Sequence, residues 1–142
     1  MDIELGASLS HVKEIYPPTE TWPAAREPNG QVTRIQVKRQ ECRSFPPGVD
    51  QIRLETLRDQ VIRVKAVYDA RQTRKEPLES LVTRLSEQYG APRRIEMTYT
   101  WQDEHTLLRA FDEALPLSGG KGVELRTAIE IVDMDVYRNL RR

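Results

Sequence analysis

Two hydrophobic periods run through this chain, and the places where one gives way to the other mark out its elements. Between residues 76 and 92 (EPLESLVTRLSEQYGAP), Leu78, Leu81, Val82, Leu85 and Tyr89 recur at helical spacing and predict one apolar stripe on an amphipathic helix. Pro77 suits the first turn, Gly90 suits the left-handed position after the last turn, and Pro92 blocks continuation. A shorter helix is predicted after Ser8, with Val12, Ile15 and Tyr16 on its apolar side and Pro17-Pro18 as its stop. Elsewhere the period is two. Ile35 and Val37 alternate with Arg34, Gln36 and Lys38, Ile52 and Leu54 follow, and Ile62, Val64, Ala66 and Tyr68 alternate with Arg63, Lys65 and Val67; these predict three strands, the last two (50–56 and 61–68) joined as a hairpin. After Pro92, Ile95, Met97, Tyr99 and Trp101 predict a fourth strand, residues 105–111 its hairpin partner, and Val123 to Ile131 the most regular strand of all.

The stretches between carry turn chemistry. Residues 17–30 hold four prolines and an Asn-Gly and read as an irregular surface segment, with Trp22 folding back onto the core. Residues 69–75 (DARQTRK) read as a charged connection, and residues 112–122, with Pro116 and SGGKG, as a polar loop. Asp133 or Asp135 is placed to cap a final turn.

The order helix, strand, strand, strand therefore occurs twice. A shift of 73 residues lays Val12 on Leu85 and Tyr16 on Tyr89, each Tyr followed by a breaker, and predicts a tandem αβββ repeat with halves of about 1–70 and 71–142. Strictly alternating strands have one dry and one wet face. The expected fold class is α+β: a two-layer sandwich in one domain (1–142), about six antiparallel strands with two helices on one face.

Composition changes this picture little, and charge changes it more. A length of 142 residues with 38% hydrophobic and 31% charged positions supports one core, and no apolar run reaches membrane-spanning length. The net charge is zero but segmented: −3 over residues 1–30, +6 over 31–75 and −3 over 76–142. On the wet face the first half offers Arg34, Lys38, Arg53, Arg63 and Lys65, diluted by Gln36 and Glu55, and the second half Glu96, Thr98, Thr100, Glu124 and Glu130, offset by Arg126. That predicts a sheet face basic on one side and acidic on the other, suited to orienting a protein partner by charge. Nucleic acid is a poorer fit, because the acidic half would repel phosphate and aromatics do not share the basic face.

Candidate chemistry is sparse. Cys42 is the one cysteine, which excludes an internal disulfide and a cysteine-cluster metal site; beside Arg39 and Arg43 its thiol could be activated, although a small apolar role is the plainer reading. His11 sits on a helix and His105 follows Asp103-Glu104 in a turn, with no metal-ligand spacing. Ser118-Gly119-Gly120-Lys121-Gly122 lacks the Lys-Ser/Thr and the following helix of a phosphate loop. Asp112-Glu113 and Asp103-Glu104 read as acidic turns. No cofactor, no metal and no catalytic residue is expected.

Two short motifs carry a resemblance. Leu5-Gly6-Ala7-Ser8-Leu9-Ser10 with Tyr16-Pro17 precedes Asp50-Gln51-Ile52-Arg53-Leu54, and Leu81 to Leu85 with Tyr89-Gly90-Ala91-Pro92 precedes Tyr99-Thr100-Trp101-Gln102-Asp103. The pattern is similar to bacterial envelope proteins and lipoproteins with the helix-plus-sheet fold of the β-lactamase inhibitor protein and of the small outer-membrane assembly lipoprotein of that group. The resemblance implies a protein-binding module, some members being tandem repeats that use the open sheet face, in the periplasm or cell envelope if a signal peptide was trimmed and in the cytoplasm otherwise. The inhibitor's two disulfides have no counterpart here, and no lipoprotein cysteine lies near Met1. The expected function is a non-enzymatic protein-binding or structural module acting through Arg34, Lys38, Arg53, Arg63 and Lys65. The alternatives are a small-molecule-binding protein or weakly signed enzyme, with a pocket between Trp22, Trp101 and the sheet edge, and an intracellular nucleic-acid binder.

Overall fold

The computed structural model describes residues 24–26, 32–42, 45–58, 60–117 and 119–136. The expected first helix and Trp22 lie outside these residues. Strands β1 (Ala24–Arg26), β2 (Val32–Lys38), β3 (Val49–Leu57) and β4 (Gln60–Tyr68) form one meander; β5 (Arg93–Ile95), β6 (Thr98–Gln102), β7 (Thr106–Pro116) and β8 (Val123–Asp133) form a second. Both belong to a single eight-stranded sheet in the order β1-β2-β3-β4-β8-β7-β6-β5, with every pairing antiparallel. The two meanders meet along their last strands, where Val64 opposes Ile131 and Ala66 opposes Ile129. Between β4 and β5 run two helices, α1 (Ala70–Lys75) and α2 (Leu78–Tyr89).

The antiparallel sheet stands, but the expectation of about six strands under two equivalent helices is corrected: the described molecule is mostly sheet, with eight strands. One extra strand, β1, lies inside the segment expected to be irregular. The other arises because the expected strand through Ile95 and Met97 is a tight hairpin, turning at Glu96 with φ +56, so Ile95 and Met97 are exposed rather than buried. The expected polar loop at 112–122 is also shortened, since β7 continues to Pro116 and the turn occupies 117–122.

One face of the sheet is apolar. Ile35, Val37, Ile52, Leu54, Val64 and Ala66 form its N-terminal cluster, with half-buried Cys42 and Phe45 packed against it. Leu78, Leu81 and Leu85 of α2 close the C-terminal cluster over Trp101 and Ala110. The 3.6-residue period explains the choice, because these leucines fall on one side of the helix. Pro77 stands at the N-cap, and Gly90 ends the helix with φ +89, a conformation that costs glycine little. Trp101 then donates its indole N–H to the Gly90 carbonyl at 2.8 Å, fastening the helix end to β6. Tyr89 departs from expectation: at the last turn of α2 it is 55% exposed rather than buried beneath the sheet.

The charged connection at 69–75 is helix α1. Asp69 is its N-cap, accepting from the Gln72 backbone N–H at 2.7 Å. Thr73 Oγ1 accepts from the Thr127 N–H, and Thr127 Oγ1 donates to the Glu76 carbonyl, so the helix pair is pinned to β8. Gly48, with φ +77, packs so closely on Gln72 that a Cβ would sit 3.0 Å from its side chain.

Glu76, between the helices, completes a second tie. Its carboxylate takes the Tyr68 hydroxyl at 2.8 Å and a two-pronged contact from Arg84 at 2.8 and 2.9 Å. The Arg84 hydrogen bonds hold the Glu76 carboxyl below its usual range, while burial first, and Glu76 second, push the Tyr68 phenol up to about 12. The sign follows from linkage. An unfolded chain releases the phenolic proton near pH 10 and the folded chain does not, so this stabilisation is complete below pH 10 and is lost as pH rises toward 12. Wild type is expected to lose about 2 kcal/mol relative to Tyr68→Phe over that window. Paired denaturation curves at pH 9 and 11.5 measure it, and a parallel loss in both proteins would show that Tyr68 does not carry the effect.

Candidate interaction surfaces and an aromatic cleft

The polar face of the sheet is assembled by register. Arg34 opposes Glu55 and Glu55 opposes Arg63 across β2, β3 and β4. In the next row Arg53 opposes Lys65, Lys65 opposes Glu130, and Glu130 opposes Arg109 across β3, β4, β8 and β7. Because β4 borders β8 directly, the acids of the second half lie among the bases of the first. The expected division into a basic side and an acidic side is therefore corrected to an interleaved lattice.

Its contacts are specific. Glu130, whose side chain is 4% exposed, accepts from Arg63 through Oε2 at 2.9 and 3.0 Å and from Arg109 through Oε1 at 3.2 Å. Glu113, expected in a turn, lies on β7 and takes Lys65 at 3.2 Å and Arg53 at 2.9 Å through the same oxygen. Arg53 and Glu113 stand on strands separated by β4 and β8, about 14 Å of sheet, so their side chains lie flat across the face to meet. Lys65 also sits 5.7 Å over the Phe111 ring. Arg34 makes a looser pair with Glu55 at 3.4 Å and is 62% exposed. Lys38 shares this face on β2. The structure thus places all five expected residues on one surface, where Arg34, Arg53, Arg63 and Lys65 meet carboxylates.

A second surface was not legible in the sequence. Strand β4 pairs with β8 only from Arg63–Val132 to Val67–Ala128, and β6 pairs with β7 only as far as Tyr99–Ala110. From Asp112–Thr127 to Pro116–Val123, β7 and β8 pair, among the described residues, only with each other, as a two-stranded arm ending in the turn at 117–122. One side of the arm continues the charged face through Glu113, Glu124 and Arg126. The other pairs Ala114 with Leu125 and Pro116 with Val123, all exposed, and Leu117 follows at the tip. Leu125 and Val123 are 56% and 60% exposed.

A cleft of about 200 Å³ opens where α2 ends, lined by Tyr89, Trp101, Gln102, Asp103, Thr106, Leu108 and Ile131. At its rim Asp103 Oδ1 accepts the backbone N–H groups of His105 at 2.8 Å and Thr106 at 2.7 Å, which hold the carboxyl below its usual range. His105 meets Asp135 through Nδ1 at 2.7 Å, and Asp133 caps the turn at 134–136 by accepting from the Asp135 and Val136 N–H groups. Among the described residues, no group of three or more His, Cys, Asp or Glu side chains is placed to share a metal ion, and no helix is long and apolar enough to cross a membrane. Comparison with protein-family models, curated proteins and solved structures finds no match.

Proposed function

We propose that this chain is a non-enzymatic protein-binding module, of the kind that the resemblance to bacterial envelope proteins implies. The observation that carries the reading is the apolar side of the β7–β8 arm. Four side chains in two directly opposed cross-strand pairs, with Leu117 beyond them, are exposed on an arm that has no neighbouring strand among the described residues. A contiguous exposed patch of this kind is the usual mark of a contact surface, whereas scattered exposed apolar residues are not. The charged face supplies the polar, orienting part, with the Arg34 side chain more exposed than those of Arg53, Arg63 and Lys65 although all four pair with carboxylates. Interleaved Glu113, Glu130 and Glu124 favour a protein partner over nucleic acid, whose phosphates they would repel. Two meanders meeting at their last strands support a tandem repeat, and a periplasmic or envelope location follows only from the resemblance.

Leu125→Asp with Val123→Asp tests the docking surface. Both positions are exposed, so the melting temperature is expected to move by less than about 2 °C, while capture of the partner from an extract of the source cells falls at least about ten-fold. Undiminished capture by the double variant would remove the arm from the proposal.

A second reading, a small-molecule binder, is favoured by one observation: the aromatic cleft lies beside Trp101, at the sheet edge.

A further inference from the structure

We propose that the cleft at the end of α2 binds a small organic cation with a flat apolar body, such as an aryl-alkyl ammonium. The inference rests on the small-molecule reading and gives it a ligand chemistry.

The walls set the body of the ligand. Trp101 has given its indole N–H to the Gly90 carbonyl, so toward the cleft it offers ring surface only. Tyr89, in the last turn of α2, also lines the cleft, a large ring left more than half exposed by a helix that buries Leu78, Leu81 and Leu85. Leu108 and Ile131 extend the apolar lining. A volume of about 200 Å³ equals roughly seven waters of liquid, enough for one aromatic ring and a short tail.

The rim sets the charge. Asp103 is the one carboxylic acid among the described residues that line the cleft, and no Lys, Arg or His is among them, His105 lying beside Asp103 outside the lining. Its Oδ1 is occupied by two backbone N–H groups, and Oδ2 takes no hydrogen bond among the described residues. Those same N–H groups keep the carboxyl ionised, its pKa depressed. A fixed carboxylate beside the negative faces of Tyr89 and Trp101 attracts a cation and disfavours an anion. Gln102 and Thr106 add neutral hydrogen-bonding groups at the same rim.

The test compares three probes of one shape, 2-phenylethylamine, 2-phenylethanol and 3-phenylpropionate, titrated at pH 7 while the indole N–H signal of Trp101 is followed by NMR. The amine is expected to shift that signal with a Kd of about millimolar, roughly ten-fold tighter than the alcohol and tighter still than the propionate. Asp103→Asn, which keeps an oxygen to accept the turn N–H groups, is expected to bring the amine down to the affinity of the alcohol. If amine and alcohol bind alike to the wild-type protein, the cation preference is overturned while the small-molecule reading stands. If none of the three moves the Trp101 signal, both are overturned.

Discussion

Replacing Glu130 with alanine is expected to destabilise the fold by about 3 kcal/mol, which for a chain of this length lowers the melting temperature by about 10 °C. Glu130 lies on β8 at the junction of the two meanders, nearly inaccessible to water, with each carboxylate oxygen bound to a different arginine. Its removal leaves Arg63 and Arg109 facing each other beside Lys65, with Glu55 and Glu113 as the remaining acids of the lattice. Loss of one partner of a buried pair costs about 3–5 kcal/mol, and the lower end applies because both arginines keep part of their surface in water. Urea denaturation of Glu130→Ala measures the cost. A change below about 0.5 kcal/mol would mean that the lattice behaves as ordinary surface charge, for which such values are typical. The same geometry shows why reversing Arg63 and Lys65 would report on stability before binding: each would set a new carboxylate against a buried one.

Leu81→Ala carries a comparable penalty, about 3–5 kcal/mol. Leu81 is 0% exposed at the centre of the α2 stripe, packed in the cluster that contains Trp101 and Ala110. Truncation removes the apolar burial and leaves a cavity that its neighbours can only partly close. Trp101 is held by its bond to the Gly90 carbonyl and cannot collapse into the space without breaking it. Thermal unfolding followed by far-ultraviolet circular dichroism gives the magnitude, and a cost under about 1 kcal/mol would show that α2 does not anchor the second meander. Leu85, 3% exposed in the same cluster, provides the internal comparison.

Local order was the legible part of this chain. The α2 helix and the strands β2, β3, β4 and β8 follow from side-chain periods, which depend on neighbours within a few residues. The misreadings have local causes too. Asp69-Ala70-Arg71-Gln72 carried an acceptor before a run of helix formers, yet its charge suggested a connection. Ile95 to Trp101 kept its alternation across a two-residue turn, so one strand was expected where a hairpin forms. Asp112-Glu113 looked like a turn because acids favour turns, although here their strand continues and Glu113 finds Lys65 and Arg53.

The sequence by itself determined which residues are apolar on one side of each strand and of α2, and hence that an antiparallel sheet would have one dry and one charged face. Only the tertiary structure decided that β4 lies beside β8. That adjacency turns two charge segments, far apart along the chain and opposite in sign, into one interleaved lattice, and leaves β7 and β8 longer than their neighbours as an arm. It also sets Tyr89, Trp101 and Asp103 around one cleft. The physical reason is range. Periodicity is fixed by the geometry of a single helix or strand, whereas strand order depends on which distant edges find mutual hydrogen bonds and apolar cover, and no local pattern specifies that choice.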